Sequence, residues 1–273
     1  MPELPEVETT VRGLKPLVGS SIITIKIHTP KIRFFIPKSI TTIKGNTKII
    51  KINRMAKFIL INLSNNYTIV IHLGMSGRLR LFDNAKYTKK KHDHFILGTN
   101  KEHLLVFNDA RRFGFIDFDQ KNKILLKKYI LNLGIEALDN KLTGEYLFKK
   151  INNKIVAIKQ ILLDQTIISG IGNIYASEIL FNARISPLLR GKDLNLQECK
   201  KIVNSTKKIL KKAVNQGGSS LKDFVSADGT LGNFQNNFKV YSRGGKTIYG
   251  KKIEKIVQYG RSTYFCPDIQ KKN

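Results

Sequence analysis

Cysteine is scarce in this chain: Cys199 and Cys266 are the only two among 273 residues. Two cysteines cannot build a disulfide framework, and such scarcity suits a reducing cytoplasm. Long apolar runs are also missing, since no stretch approaches the roughly 18 consecutive apolar residues of a membrane-spanning helix. Residues 1–8 are acidic and lack the apolar segment of a secretion signal. The sequence therefore predicts a cytoplasmic protein with no segment that spans a membrane.

Acidic residues are the second shortage, with 20 Asp and Glu against 48 Lys and Arg, which gives a formal net charge of +28 at pH 7. Such an excess attracts polyanions and indicates nucleic acid or an anionic membrane as the partner. Most of the basic residues are lysines. Because Lys, Ile and Asn share A- and T-rich codons, the base composition of the gene can supply part of this charge. The few arginines are therefore more informative than the many lysines.

The hydrophobic pattern changes along the chain. Apolar residues from Val7 to Val18 recur at helical spacing and predict a helix that ends at Gly19. From residue 20 to about residue 118 the period changes to two, which is typical of strands in a sandwich or barrel. The clearest predicted strands are residues 22–27, 47–52, 58–61 and 68–71.

Residues 143–217 carry a helical pattern instead. Its clearest helix starts at a capping box of Asn195 and Glu198 and stops at Gly217 and Gly218. The tail from residue 238 to residue 265 returns to short strands. The sequence thus predicts an α+β multidomain protein, which comprises an N-terminal β-sandwich with an N-terminal helix (1–118), a linker (119–142), a helical domain (143–237) and a C-terminal β-hairpin module (238–273).

The N-terminus offers a nucleophile. Pro2 is small enough for Met1 to be removed, and a free N-terminal amine titrates near ~8, so more of it is neutral at pH 7 than of a lysine. Glu3 and Glu6 could act beside it as general acid and base. The same residues also suit the start of a helix, where proline fits the first turn and the dipole stabilises carboxylates. From these residues alone, helix initiation is the better interpretation.

Seven strings that follow one another along the whole chain resemble those of one family. They are residues 1–10, 55–57, 72–77, 91–94, 109–114, 169–178 and 260–265. Together they resemble the bacterial formamidopyrimidine-DNA glycosylases. Leu4 favours oxidised purines as the substrate, since the related endonuclease VIII branch has glycine there. The resemblance implies that Pro2 is the nucleophile, that Glu3 manages protons, and that Lys57 and Arg261 are catalytic. Taken alone, Lys57 would be a solvated lysine in an alternating strand.

The resemblance also assigns Met75, Arg111 and Phe113 to the gap that an everted nucleotide leaves in a duplex. An enzyme that acts on such a base must unstack it, and inserted side chains recover part of that energy. Alternatively, Met75 and Phe113 are core residues and Arg111 belongs to a turn salt bridge. The flanking glycines favour exposed loop tips over a core.

Further DNA contacts implied by the resemblance are His92, Lys154, Lys159 and Asn173. His92 and His94 share one face of a predicted strand and could bind a metal, but no third ligand is evident. Glycines 170 and 172 expose backbone N–H groups at a helix start or form an ordinary turn. The resemblance makes this the turn of a helix-two-turn-helix motif, with Asn173 on the DNA backbone. It also makes residues 217–233 a loop that closes over the everted base.

The chain departs from the family at its C-terminus. The family's finger binds zinc through two Cys-x-x-Cys pairs, whereas residues 245–250 contain no cysteine and Ile269 stands in the place of the partner of Cys266. A four-cysteine zinc site is therefore impossible within this chain. We expect a zincless finger with Arg261 at its hairpin tip, held by apolar contacts. The candidates for those contacts are Ile248, Tyr249, Ile253, Ile256, Val257, Tyr264 and Phe265.

The resulting expectation is a monomeric enzyme without metal or diffusible cofactor that acts on damaged double-stranded DNA. The resemblance implies a bifunctional DNA glycosylase and AP lyase, which removes oxidised purines through a Schiff base on Pro2 and nicks the strand by β,δ-elimination. One alternative is the excision of oxidised pyrimidines, as in endonuclease VIII. Another is a non-catalytic DNA-binding relative, but such a protein would have lost Pro2, Glu3 or Lys57, and all three are present.

Overall fold

The computed structural model describes residues 1–43, 45–220, 227, 229 and 231–270. These residues form two compact units, one of Met1–Leu131 with Gln216–Asn233 and the other of Asn132–Asn215 with Phe234–Asn273. The predicted fold class, a β-sandwich with a helical region and C-terminal β-hairpins, is confirmed. The units do not follow the predicted domain boundaries everywhere, because residues 121–131 form short helices against the sandwich. The hairpins likewise belong to the unit that holds the helical region.

Two four-stranded antiparallel sheets build the first unit, in the orders β1-β6-β7-β5 and β2-β3-β4-β8. The elements are α1 (Leu4–Gly13), β1 (Ile22–Ile27), β2 (Ile49–Met55), β3 (Phe58–Leu63), β4 (Tyr67–His72), β5 (Arg78–Asp83), β6 (Asp93–Thr99), β7 (His103–Asn108), β8 (Phe115–Gln120), α2 (Lys121–Leu126) and α3 (Lys128–Leu131).

Period-two alternation buries one face of each sheet in a common core. Ile59 and Ile71 of one sheet and Phe95 and Phe107 of the other belong to this core, which also includes Val7 of α1. Burial of such side chains stabilises the fold by roughly 1.5–3 kcal/mol each. The core therefore fixes α1, and with it the first residues of the chain, to the sandwich.

Helix α1 is shorter than predicted. It ends at Gly13 and is followed by a short 3-10 helix, Lys15–Leu17, so the predicted end at Gly19 is wrong. Pro16 explains the difference, because proline has no N–H to donate and disfavours α-helical backbone in the residue before it. The apolar spacing continues beyond Gly13, but the α-helix does not.

Helices dominate the second unit, in which α4 and α6 pack against α7. Its elements are β9 (Ile135–Glu136), α4 (Gly144–Ile151), α5 (Ile158–Leu163), β10 (Ile168–Ser169), α6 (Asn173–Ala183), α7 (Leu196–Asn215), β11 (Thr247–Ile248), β12 (Lys251–Lys252), β13 (Glu254–Gln258) and β14 (Arg261–Phe265). The predicted capping box is confirmed, since Asn195 and Glu198 each accept the other's backbone N–H, at 3.0 and 2.9 Å. No helix in the described part of the chain is long and apolar enough to cross a bilayer.

A buried carboxylate anchors the segment that leads into the C-terminal hairpins. Glu178 of α6 accepts the backbone N–H groups of Lys239, Val240 and Tyr241 at 2.9, 2.9 and 2.8 Å. Its side chain lies in the core and the residue is only 1% exposed. Three N–H donors in one position satisfy a charge that would otherwise be costly to bury.

The exchange Glu178→Gln should lower the free energy of unfolding by about 2–4 kcal/mol, because the new amide group would face backbone N–H donors. Chemical denaturation of the purified variant measures this loss. Glu145→Gln is the matched control, since it removes an exposed ion pair with Lys200 and should cost less than about 1 kcal/mol. Equal effects of the two exchanges would contradict the anchoring role of Glu178.

Candidate functional site

The N-terminal residues predicted to react stand directly before α1. Pro2 is buried and Glu3 is 2% exposed, and Pro5 lies in the first turn of the helix. The helix dipole places partial positive charge at this end, which disfavours a protonated amine beside it. A reactive N-terminus and the start of a helix are therefore compatible interpretations of these residues, because Glu3 and Pro5 begin the helix and also lie beside Pro2.

Glu6 holds the N-terminal turn in place. One carboxylate oxygen accepts the backbone N–H of Glu3 at 2.9 Å, and the other accepts the N–H and the hydroxyl of Ser219 at 2.8 and 2.9 Å. Glu3 completes a reciprocal capping box with Glu6. A Cβ on Gly218 would lie 3.0 Å from the Glu6 carboxylate, so a glycine suits this close approach. Glu6 thus has a structural role, and proton transfer stays a prediction for Glu3.

Lys57 lies in a tight turn and not within a strand. Met55 and Phe58 are the last paired residues of the β2–β3 hairpin, and Ala56 between them has a φ of 50°. The prediction of an alternating strand through Lys57 is therefore wrong, because the chain reverses there. Lys57 is only 6% exposed, which also excludes the solvated lysine of the alternative interpretation.

His72 is a neighbour of Lys57 that the sequence analysis did not single out. It pairs with Phe58 across β3 and β4, and its Nδ1 accepts the N–H of Gly74 at 3.1 Å. The proton of the neutral ring therefore resides on Nε2. Burial, followed by the positive charges of Lys57 and Arg33, lowers the pKa of His72 to about 4. At neutral pH this ring can donate a hydrogen bond beside Lys57 without adding a further cation.

The three residues predicted to fill a gap in the duplex lie at loop tips of the first unit. Met75 is 40% and Phe113 43% exposed, so the interpretation of either as a core residue is wrong. The guanidinium of Arg111 lies 4.9 Å from the centroid of the Phe113 ring. A thioether, an aromatic ring and a stacked cation together offer surfaces that suit the faces of base pairs.

One carboxylate joins the two loops that carry these tips. Asp109 is completely buried and accepts the hydroxyl of Ser76 and the backbone N–H groups of Arg111 and Gly114, the latter two at 3.3 and 2.8 Å. The Ser76 hydroxyl in turn accepts the N–H of Arg111 at 3.1 Å. Because one side chain binds both loops, it fixes the tip of one relative to the tip of the other.

Two glycines allow these loops to touch. A Cβ on Gly74 would lie 2.4 Å from the backbone nitrogen of Gly114, and a Cβ on Gly114 would lie 2.7 Å from the carbonyl oxygen of His72. Gly74 also has a φ of 62°, which side-chain-bearing residues rarely adopt. The glycines next to Met75 and Phe113 therefore allow the backbones of the two loops to lie in close contact.

His92 and His94 do not share a strand face. His92 precedes β6 with a φ of 71°, and it is partly exposed. His94 is buried, and its two ring nitrogens contact the hydroxyl of Thr29 at 2.9 Å and the carbonyl oxygen of Asp109 at 2.8 Å. These contacts engage both nitrogens of His94 in the structure itself, which leaves His92 as the ring available for a DNA contact.

The turn between α5 and α6 is held by Gln165, which the sequence analysis missed. Its side-chain nitrogen donates to the carbonyls of Leu163 and Ile171 at 3.0 and 2.9 Å, and its oxygen accepts the N–H of Gly170 at 2.9 Å. Gly170 has a φ of 102°, which explains the glycine. Helix α6 then starts at Asn173, with Gly172 at its N-cap.

Asn173 is tied to the β13–β14 hairpin through Lys159. The Asn173 amide donates to the carbonyl of Ser262 at 2.9 Å, and its oxygen accepts from the Lys159 ammonium at 2.7 Å. The same ammonium donates to the Thr263 hydroxyl at 2.7 Å and to the Ser262 carbonyl at 3.2 Å. Lys159 is only 1% exposed. Its buried position differs from the exposed one that the predicted contact with a DNA phosphate requires. Its ammonium instead positions Asn173 and the residues that follow Arg261.

Lys154 and Arg261 are the exposed cations predicted in the second unit. Lys154 follows α4 and donates its N–H to the carbonyl of Ile151 at 2.8 Å. Arg261 follows the tight turn at Tyr259 and Gly260, whose φ angles of 49° and 73° suit a two-residue hairpin. Of the predicted closing loop 217–233, residues 221–226, 228 and 230 lie outside the described residues.

The residues of the hairpin module do not fit a zinc site. Cys266 is completely buried in a cluster with Phe181, Val240, Ile248 and Ile253, against which Ile269 also packs. Residues 247–252 form a β-hairpin in place of a cysteine pair. Among the described residues no group of three or more His, Cys, Asp or Glu could hold a metal ion. Two of the predicted apolar contacts are wrong, since Tyr249 and Val257 are 77% and 71% exposed.

Comparisons with known proteins agree over almost the whole chain. The model of the formamidopyrimidine-DNA glycosylase N-terminal domain matches residues 1–116, and that of the H2TH domain of the same enzymes matches residues 133–225. A formamidopyrimidine-DNA glycosylase of Rickettsia africae is 41% identical over 273 residues, which cover 99% of each chain. One of Zymomonas mobilis is 42% identical and covers 99% of this chain and 100% of its own.

Solved structures give the same result. A Lactococcus lactis Fpg variant in complex with DNA that contains Fapy-dG superimposes with a TM-score of 0.91 at 31% identity. The complex of Lactococcus lactis Fpg with DNA that contains an abasic site has a TM-score of 0.90, also at 31% identity. Each comparison covers 99% of this chain and 100% of the other.

Asp109→Asn should weaken binding to a duplex with an abasic-site analogue by about tenfold, because the new amide would face a backbone N–H or the Ser76 hydroxyl and release the two loops. Fluorescence anisotropy with the labelled duplex measures this change. The exchange Met75→Ala should weaken binding less in the Asp109→Asn variant than in the wild-type protein. The reason is that the effects of two exchanges on affinity are not additive when the residues are coupled. The control is the exposed Asp83→Asn. A loss of stability with unchanged affinity would contradict the positioning role of Asp109.

Proposed function

The chain belongs to the formamidopyrimidine-DNA glycosylase family and is a DNA glycosylase for oxidised purines, and we propose that it works through a covalent intermediate on Pro2 and then incises the strand. Matches of about 41% identity over the full length support the glycosylase activity and damaged DNA as its partner. The observation that carries the covalent route is the placement of Pro2 and Glu3 together at the start of α1.

Base excision begins once Met1 has been removed and Pro2 carries a free secondary amine. The nitrogen lone pair attacks C1′ of the damaged nucleotide, and the bond from C1′ to the base breaks with its electron pair leaving on the base. Glu3 handles the protons, giving one to the departing base and accepting the one lost by the amine. Cleavage of the bond between C1′ and the ring oxygen then yields an iminium on Pro2, and Glu3 returns its proton to that oxygen, which becomes the 4′ hydroxyl. No diffusible cofactor is therefore needed.

Strand incision follows from the iminium, which makes the C2′ proton acidic. Removal of that proton expels the 3′ phosphate by β-elimination, and a second elimination expels the 5′ phosphate. Hydrolysis of the remaining iminium releases Pro2 and leaves a one-nucleotide gap. We assign Lys57 and Arg261 to these steps, as cations that bind phosphate and assist proton transfer. The burial of Lys57 and the neutral His72 beside it support a fixed position for the first of these cations.

Recognition of the lesion requires the damaged nucleotide to leave the stack. We propose that Met75, Arg111 and Phe113 fill the resulting gap, which their exposure and the Arg111–Phe113 stacking support. His92, Lys154 and Asn173 would bind the DNA backbone, with Lys159 holding Asn173 in position. We further propose that the protein acts as a monomer and without zinc.

Oxidised pyrimidines are a second candidate substrate class. The wild-type Lactococcus lactis enzyme, whose structure resembles this chain with a TM-score of 0.90, has been solved with DNA that contains an oxidised pyrimidine. Leu4 still favours purines. Excision assays on duplexes with either class of lesion, run side by side, would rank the two.

Borohydride should trap a covalent adduct on a duplex with 8-oxoguanine opposite cytosine, because reduction converts the iminium to a stable amine. Mass spectrometry of the digest should place the DNA on the N-terminal peptide that begins with Pro2. An added N-terminal residue should abolish trapping, since Pro2 would then be an amide. Arg261→Ala is the control, as it should still be trapped while incision slows. An adduct on an internal lysine would refute the assignment.

The hairpin module should be insensitive to metal chelators, because its cluster around Cys266 is apolar. We expect EDTA to leave both the melting temperature and the excision rate unchanged, and metal analysis to find no stoichiometric zinc. Ile253→Ala should cost about 2–4 kcal/mol of stability, since Ile253 is completely buried. The exposed Val257→Ala is the control and should stay within about 0.5 kcal/mol. About one zinc per chain, with activity lost to EDTA, would refute the zincless finger.

A further inference from the structure

An aromatic cavity of about 490 Å³ lies within the first unit. Its lining includes the rings of Phe58, Phe115 and Tyr129 together with His72. These rings contact one another, with centroids 6.0 Å apart for Phe58 and Phe115 and 5.3 Å apart for Phe115 and Tyr129. A cavity with such walls suits a flat aromatic group.

Two neighbouring phenylalanines extend this cavity into solvent. Phe34 and Phe35 are 55% and 68% exposed, and both line the cavity. Phe34 contacts Phe115 edge-on, with ring centroids 5.6 Å apart. The segment that carries them is ordered by backbone hydrogen bonds, from Ile36 to the carbonyl of Pro30 at 2.9 Å and from Ile32 to that of Phe34 at 3.1 Å. The backbone that carries the two rings is therefore held in place although the rings are exposed to water.

Each exposed ring is accompanied by a cation. The Arg33 guanidinium lies 5.4 Å from the centroid of Phe34, and the Lys31 ammonium lies 5.2 Å from that of Phe35. The acidic residue in the lining, Asp117, is engaged by Lys127 at 3.0 Å and by the Tyr129 hydroxyl at 2.7 Å. The surroundings thus favour a ligand that combines an aromatic ring with negative charge.

The segment also adjoins residues assigned to DNA. The N–H of Arg33 donates to the carbonyl of Gly114, which follows Phe113, at 3.4 Å. His72 lines the cavity and lies beside Lys57. A DNA strand that contacts these residues would therefore pass close to the two exposed rings.

We propose that Phe34 and Phe35 form a stacking site for an unpaired nucleobase of a DNA strand, with Lys31 and Arg33 binding the adjoining phosphates. Stacking on aromatic side chains beside basic residues is how proteins bind single strands without sequence preference. A one-nucleotide gap in the duplex leaves the base opposite it unpaired, so the site can retain the incised product. The proposal rests on the proposed function, which supplies DNA as the ligand and strand incision as the source of the gap.

Binding of a short oligothymidylate, compared with an oligomer of abasic units of the same length and charge, isolates the contribution of the bases. Anisotropy titrations should show the wild-type protein binding oligothymidylate at least about five-fold more tightly. The double variant Phe34→Leu with Phe35→Leu should lose this difference, because it keeps apolar volume but no aromatic ring. The matched double variant Phe34→Tyr with Phe35→Tyr should retain it. All three proteins should have similar melting temperatures.

Equal binding of the two oligomers by the wild-type protein would overturn the proposal. The proposal would also be overturned if the leucine variant kept the wild-type preference for oligothymidylate over the abasic oligomer. Either result would indicate another occupant, such as a protein segment. Borohydride trapping on the lesion duplex, run on the same proteins, separates this outcome from a failure of the catalytic assignment. Trapping depends on Pro2, whereas oligothymidylate binding depends on the two rings.

Discussion

Buried carboxylates that accept backbone N–H groups hold the N-terminal turn, the loops that carry Met75 and Phe113, and the segment that leads into the C-terminal hairpins. Glu6 accepts from Glu3 and Ser219, Asp109 from Arg111 and Gly114, and Glu178 from residues 239–241. Such bonds are charge-assisted and roughly twice as strong as neutral ones, and each acceptor fixes a stretch of main chain. In the loop after Asp109 the side chains of Arg111 and Phe113 are left exposed. In a chain with 20 acidic residues against 48 basic ones, these carboxylates are used for architecture.

Local patterns predicted the elements, but not the contacts that bring them together. The period-two segments and the Asn195–Glu198 capping box depend on residues close in sequence, and both are present in the structure. Each of the three carboxylates also has a partner far away in the sequence, with 213 positions from Glu6 to Ser219, 62 from Glu178 to Val240 and 33 from Asp109 to Ser76. Patterns of residue spacing describe neighbours in the sequence and cannot predict contacts at such separations. The turn at Lys57 was missed for another reason, because strand residues continue on both sides of Ala56 and no glycine marks the reversal.

The hairpin module contains an apolar cluster around Cys266. A zinc ion bound by four thiolates fixes chain geometry through directional bonds, whereas an apolar cluster gains stability from the area removed from water. Cys266 fits the second arrangement, since a thiol in a dry cluster behaves as a small apolar side chain. Orientation of the hairpin must then come from directional contacts elsewhere. Lys159 supplies them, because its ammonium donates to Ser262, to Thr263 and to Asn173 on α6.

The concentration of positive charge imposes its own constraint on His72. A strand of DNA requires cations, and Lys57 and Arg33 lie close enough to His72 to lower its pKa. A protonated imidazole there would add repulsion between like charges before any phosphate arrives. With a pKa near 4, below the ordinary value of 6.5, the folded protein keeps this ring neutral at physiological pH. Between these two values the unfolded chain binds more protons than the folded one, so stability falls as the pH drops through that window. The neutral ring keeps its Nε2 proton for hydrogen bonding, and it adds no further positive charge beside Lys57.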